Sequence, residues 1–295
     1  MSSDLERRYA RLLHLYPATY RLARGGELLE TLLESAEDDR RWPAPREVGA
    51  LILGALRAHA GFDRGRPPRH GWLAARAAAL MLLVYDIADR TVVMALDLAN
   101  RAPSIWSPAE LILNVAALTL GAHAVSATVR GRYRGAVATA SAAFLVALAM
   151  AWSMQYPVFT GFWHFPLAIV LLVPLLWHRP PAAAGLLRYA PAVPLLMIVA
   201  DQVSAQAFPG VSGILQRGFV LALWAGSLLW LAVDERLPMA FGLLLLNGPL
   251  VQLAFILAGG AASLAAAAVT LVITTAVPGV LLLTSGLAAR RRARI

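Results

Sequence analysis

The side chains best placed to do chemistry are charged groups set inside apolar sequence. Asp86, Asp89, Arg90 and Asp97 interrupt the run from Trp72 to Leu98. At the helical repeat they fall within a sector of about 100°. Asp86 and Arg90 stand four apart, the spacing at which two side chains meet on one helix face. A later run carries Asp201, Gln202, Ser204 and Gln206, and the next opens with Gln216 and Arg217. Charges held away from water are costly, so they face one another or a polar cavity and mark function. Three chemistries fit. Ion pairs could fix helix packing, Asp86 or Asp89 with Arg90 and Asp201 with Arg217. A ligand or ion pocket could be lined by Asp86, Asp89, Arg90, Asp97, Asp201, Gln202 and Arg217. Proton or ion passage would need a carboxylate near the middle of a span, and Asp86 is nearest.

Other reaction centres find no support in the sequence. The chain has no Cys, which excludes disulfides and thiolate metal sites. His164 and His178 flank one apolar run without ligand spacing, so no metal is expected. Phosphate-binding, dinucleotide, nucleophile-elbow and HExxH patterns do not occur. The sequence therefore predicts neither an enzyme nor a cofactor.

The elements that must hold these charges follow from composition. Of 295 residues, 59% are hydrophobic and 15% charged, whereas a soluble domain carries roughly 25% charged residues. Apolar runs recur at Trp72–Leu98, Pro108–Thr128, Ala136–Tyr156, Phe162–Trp177, Leu187–Ala207, Ile214–Val233, Pro238–Leu257 and Ala262–Leu283. Each is near the ~20 residues that cross a bilayer core. The expected fold is all-α, a polytopic membrane bundle of about eight helices.

Arginine sets the expected orientation. The net charge is +9, and all 26 basic residues are Arg. They cluster in alternate connections, at Arg64/Arg66/Arg69, Arg130/Arg132/Arg134, Arg179/Arg188, Arg236 and the tail Arg290–Arg294, with only Arg101 and Arg217 on the other side. The positive-inside rule then puts both termini in the cytoplasm and accounts for the charge without nucleic acid. Trp106, Trp152 and Trp163 fall at the outer boundary, Trp72 and Trp177 at the inner one. In this topology most polar groups lie in the outer half, predicting a pocket that opens outward between the first, fifth and sixth spans. Asn247-Gly248-Pro249 and Pro278-Gly279 read as kinks within the last two spans.

Residues 1–62 read as a small cytoplasmic domain of three helices. Ser3-Asp4-Leu5-Glu6 opens the first, which buries Leu5, Tyr9, Leu12, Leu13 and Tyr16 until Pro17 ends it. The second begins near Gly26 and closes at Arg40 and Arg41. The third starts at Pro45 and carries Val48, Leu51, Ile52, Ala55 and Leu56. Residues 63–71 are an Arg/Pro-rich linker, 72–289 the membrane bundle and 290–295 a basic tail. Tyr9, Leu13, Tyr16, Leu29, Leu33 and Trp42 are candidate partner-binding residues, since so small a core gains by packing on something else.

Leu5-Glu6-Arg7-Arg8-Tyr9, Leu12-Leu13-His14-Leu15-Tyr16-Pro17, Tyr20-Arg21 and Gly26-Glu27-Leu28-Leu29-Glu30 together resemble the HAAS or permease-prefix helical domain of actinobacterial membrane proteins. That resemblance covers about the first sixty residues and carries no catalytic residue. It implies a signalling module encoded beside PadR-type transcription regulators. The expectation is a plasma-membrane sensor coupling an envelope or small-molecule signal to a cytoplasmic partner. A secondary transporter or permease component is the alternative.

Overall fold

The computed structural model describes residues 3–36, 40–60, 70–99, 107–153, 164–178, 185–207, 210–257 and 272–292. Among them every regular element is helical. They form two compact units, one built mainly on residues 1–68 and the other on most of the remaining chain.

The first unit contains α1 (Ser3–Leu13), α2 (Ala18–Glu34) and α3 (Pro45–His59). Helix α1 ends at Leu13, short of the expected stop at Pro17, which instead serves as N-cap of α2. Helix α2 therefore begins at Ala18, well before Gly26, and runs through Gly25-Gly26 to Glu34. Arg40 and Arg41 lie beyond its end. Two glycines cost a helix about 1 kcal/mol each, and Tyr20, Leu28, Leu29, Leu32 and Leu33 offset this by packing on the shared core. That core is Leu5, Tyr9, Leu13, Tyr16, Leu51 and Ala55. Tyr16 stacks on Tyr20 at 5.0 Å, and its hydroxyl occupies the space where a Cβ on Gly54 would sit. Gly54 is thus required by α1–α3 packing although glycine weakens α3.

One polar assembly closes this core. Glu47, in the first turn of α3, accepts from the Tyr9 hydroxyl at 2.5 Å, the Ala44 N–H at 3.1 Å and Arg40 at 3.0 Å. The Tyr9 hydrogen bond is the largest cause holding the Glu47 carboxyl below its usual range. Burial first, and Glu47 second, push the Tyr9 phenol up to about 12.

The second unit begins with α4 (His70–Ala99), a single helix of 30 residues and about 45 Å. It continues through Asp86 and Arg90 without a break. The hairpin α5 (Pro108–Val129) and α6 (Tyr133–Ser153) follows. Gly131, at φ +72°, makes its turn. The Arg132 N–H bonds to Ala127 O and the Gly131 N–H to Thr128 O, a Schellman closure that demands a left-handed residue.

Next come α7 (His164–Leu172) and α8 (Leu175–His178). The expected fourth span is divided by Pro174, which can donate no backbone hydrogen bond. The expected fifth span also starts late. Gly185–Tyr189 form a 3₁₀ turn, and only beyond Pro191 does α9 (Ala192–Ala207) begin. Helices α10 (Ser212–Trp230) and α11 (Arg236–Leu257) complete the middle of the chain. Pro249 lies inside α11, which stays helical around it. A π turn at Val272–Ala276 runs straight into α12 (Val277–Arg292), so Pro278 sits inside one apolar helix at the junction of its π and α segments. The start of the expected eighth span and residues 61–69 of the linker lie outside the described residues. The helix reaches Arg292, so it takes in part of the expected tail.

Packing in this unit has the grain of a membrane protein. Most buried positions of the α5–α6 hairpin are small: Ala117, Gly121, Ala124 and Thr128 on α5, Ala136, Ala140, Ala143 and Ala147 on α6. Large apolar side chains point out, with Ile112, Leu145, Val170, Ile214 and Leu229 each more than three-fifths exposed. In water such a surface would drive aggregation; against lipid, close approach through small residues is what brings helices together. Four helices are long and apolar enough to cross a membrane: Pro108–Val129, Tyr133–Met150, Gly213–Trp230 and Val272–Ala289. His164–His178, Ala192–Ala205 and Arg236–Val251 are shorter apolar helices.

The closest helix approach is α11 on α12. A Cβ on Gly242 would lie 2.9 Å from Gly279 O, and one on Gly279 would lie 3.0 Å from Gly242 O. Backbone atoms cannot swing aside, so Gly279→Val should force the helices apart and destabilise the protein by about 1–3 kcal/mol; thermal unfolding in detergent would register it. A second expectation concerns α1–α3. Glu47's lowered carboxyl contributes stability above its ordinary value of 4.5, lost as pH falls through the depressed one. Tyr9's raised phenol contributes stability below 10.0, lost as pH rises through about 12. Near-ultraviolet circular dichroism of the full chain should show tyrosine packing lost at both extremes, with the acid limb weakened in E47Q.

Candidate functional site

Helix α4 is the axis of the candidate site. Its first half is buried on every side: Ala77, Ala78, Ala79, Met81, Leu82 and Leu83 all belong to the main core. A helix apolar all round is an interior helix. Neighbours α5, α7, α9 and α11 pack against it. Gly121 of α5 lets that helix approach; a Cβ there would stand 3.0 Å from Ile87 Cγ1 and 3.5 Å from Phe165 Cζ.

Arg76 fixes the lower part of α4. It is 3% exposed and donates to the carbonyls of Thr128 at 3.2 Å and Val129 at 2.8 Å. These carbonyls end α5, where the helix dipole is negative and the last C=O groups lack helical partners.

Asp86 lies one turn above the all-round core. Its side chain is 1% exposed. Oδ2 accepts from Arg90 Nε at 3.0 Å, the expected i,i+4 pair. Oδ1 faces His164 Nδ1 at 3.6 Å. Neither Oδ1 nor Nδ1 has a hydrogen-bond partner among the described residues. The Tyr85 ring lies over the His164 ring, with centroids 4.6 Å apart. Asp89 is half-buried and within electrostatic reach of Asp86, Arg90, His164 and Asp201. Asp201, half-buried on α9, also acts on Tyr85.

The sequence-derived residues divide accordingly. Asp86, Asp89, Arg90 and Asp201 come together, with half-buried Gln202 next along α9. Arg217 is exposed on α10 and makes no ion pair with Asp201 among the described residues. The Asp97 side chain lies outside the described residues. The third contributor is therefore α7, through His164, in place of the sixth span. The reason is packing: α7 and α9 contact α4 directly, whereas the apolar stretch of α10 has no buried residue. Ser204 donates back to Asp201 O at 2.8 Å, and Glu110 caps α5 with Ser107, so neither is free for a ligand.

The partner-binding candidates also separate. Tyr9, Leu13 and Tyr16 are buried in the core that the three helices share, which leaves them no outward face for a partner. Leu29 and Leu33 are half-buried against that core. Trp42 alone is largely exposed, with the Arg8 guanidinium over its ring.

What sequence reading missed is the role of His164, Tyr85 and Arg76. His164 was visible only as a histidine beside an apolar run. Arg76 was visible as a lone cation among alanines near the start of an apolar run, and that setting was the usable signal. Among the described residues no three His, Asp or Glu side chains are grouped to hold a metal.

A buried carboxylate stripped of its cation is penalised by several kcal/mol. Arg90→Met should cost about 3 kcal/mol by leaving Asp86 uncompensated. Adding Asp86→Leu should restore much of it, a coupling readable as a double-mutant cycle on thermal unfolding. Additive losses would show that the pair is not energetically linked.

No family model, curated protein or solved structure matches this chain.

Proposed function

We propose that the chain is a multi-pass plasma-membrane regulator of about eight spans with both termini in the cytoplasm. Its bundle senses a condition through the Asp86 cluster, and its N-terminal three-helix domain passes the response to a cytoplasmic regulator protein. The observation that carries this reading is the Asp86 carboxylate. It is buried in apolar surroundings and committed to Arg90 through one oxygen, while the other oxygen faces His164 unsatisfied. Ion pairing for packing alone would be expected to use both oxygens, since unsatisfied buried polar atoms cost about 1–3 kcal/mol. A group kept in this state is poised to respond.

The output half rests on the resemblance of residues 5–34 to the HAAS-type prefix and on a head whose covalent connection to the bundle enters α4, the helix that carries the cluster. Exposed Trp42 under Arg8 is the surface we assign to the partner. The alternative, a secondary transporter or permease component, draws on the break between α7 and α8 at Pro174; α11 by contrast runs on through Pro249.

Full-length chain in native membranes should capture a cytoplasmic regulator by cross-linking. Trp42→Ala should reduce capture, and deletion of residues 1–60 should abolish it and alter expression of the regulator's target genes. Unchanged expression together with no captured regulator would defeat the proposal.

A further inference from the structure

The geometry points to Asp86 and His164 as a proton-binding site, in which a single proton held between Oδ1 and Nδ1 is the ligand of this bundle. The inference rests on the sensor reading above and names what is sensed.

The first argument is hydrogen-bond capacity. Asp86 Oδ1 is an acceptor and lacks a donor. His164 Nδ1 lies opposite, also without a partner, at 3.6 Å. A hydrogen bond between N–H and O would bring them to about 2.8 Å. A separation of 3.6 Å suits two lone pairs facing each other, the arrangement when the imidazole proton sits on Nε2. Adding one proton to Nδ1 converts this contact into a charge-assisted hydrogen bond and satisfies both atoms at once. No covalent bond is broken; the proton comes from water and returns to it.

Charge gives the second argument. Asp86, Asp89 and Asp201 set three carboxyl groups near one guanidinium, that of Arg90, among the described residues. An uncompensated negative charge in low dielectric favours capture of a cation. The available space selects which one. A metal ion wants about four ligands, and no group of three candidates exists among the described residues. A proton needs only the two atoms present.

The groups facing His164 come from identifiable elements. Helix α4 presents Tyr85, Asp86, Asp89 and Arg90. Asp201 of α9 adds to the field at Tyr85 and Asp89. Helix α6 has no titratable side chain after Arg134. On α8, His178 is stacked on Trp72 at 3.9 Å, about fourteen residues further along the chain. On α5, Gly121 is the residue that approaches Phe165, next to His164. Histidine is the side chain whose charge commonly changes between pH 5 and 8, which sets the range of the test.

The test is hydrogen–deuterium exchange of the full chain in lipid nanodiscs at pH 5.5 and 8.0, corrected for intrinsic rates. The α7 amides should exchange about tenfold more slowly at pH 5.5, the effect of one added charge-assisted hydrogen bond. His164→Gln keeps a polar side chain but cannot titrate here, so its α7 exchange should be equal at the two pH values. Asp89→Asn leaves the Asp86–Arg90 pair in place and should lessen the wild-type response. Equal exchange in the wild type at both pH values, or a response that persists in H164Q, overturns the inference. A wild-type response abolished by EDTA assigns the site to a metal ion and overturns it equally. If α7 responds as expected while α1–α3 exchange is independent of pH, the proton site stands and the sensor reading fails.

Discussion

A carboxylate taken out of water must be matched by something, and Asp86 is where this bundle meets that constraint. One turn below it, α4 is buried on all sides by apolar neighbours. One turn above, Arg90 reaches back to it at 3.0 Å. The pair sits at the boundary between the all-round core and the more exposed second half of the same helix. Neighbouring helices are arranged around that boundary: α7 delivers His164, α9 delivers Asp201, and α5 comes close because position 121 is glycine. Arg76 meets the same constraint differently, by spending its guanidinium on the carbonyls that end α5.

Small residues make this density possible. Alanine and glycine recur at the contacts of α5 with α6, glycine lets α11 and α12 approach beside Leu246 and Leu282, and many large apolar side chains, among them Ile112, Leu145 and Leu229, face outward. A soluble bundle has the opposite arrangement, with large side chains inside. Where lipid replaces water, burying leucine gains little, and attraction between helices depends on how closely backbones approach. The α1–α3 unit follows the soluble rule instead. Tyrosine and leucine fill its core, and charge lies on its surface. One chain thus uses two packing chemistries.

Much of this was legible in the sequence. Apolar length announced the helices, and Pro17 and Pro45 marked real boundaries. The spacing of Asp86 and Arg90 foretold their pair. Other features were hidden for physical reasons. Gly25-Gly26 looked like a helix start because glycine is a poor helix former, yet tertiary packing on Tyr20 and Leu28 overrides that preference. Pro174 and Pro191 lie inside hydrophobic runs, where mean hydropathy stays high although the backbone must break. His164 could not be joined to Asp86 from sequence, since a separation of 78 positions gives no hint of which helices become neighbours. Tyr9 and Tyr16 stand on an amphipathic stripe that reads the same in sequence whether its cover comes from the same chain or another.

The anchoring of Arg76 constrains how α4 can move. Sliding the helix along its axis would pull the guanidinium from Thr128 O and Val129 O and drag the alanine-rich turns out of a close fit. Tilting about Arg76 meets the packed turns from Ala77 to Leu83 and the close fit of Ile87 on Gly121. The near half of α4 is therefore held as one block with the end of α5, whereas the half beyond Arg90, where Val93 and Leu98 are exposed, has less packing to restrain it.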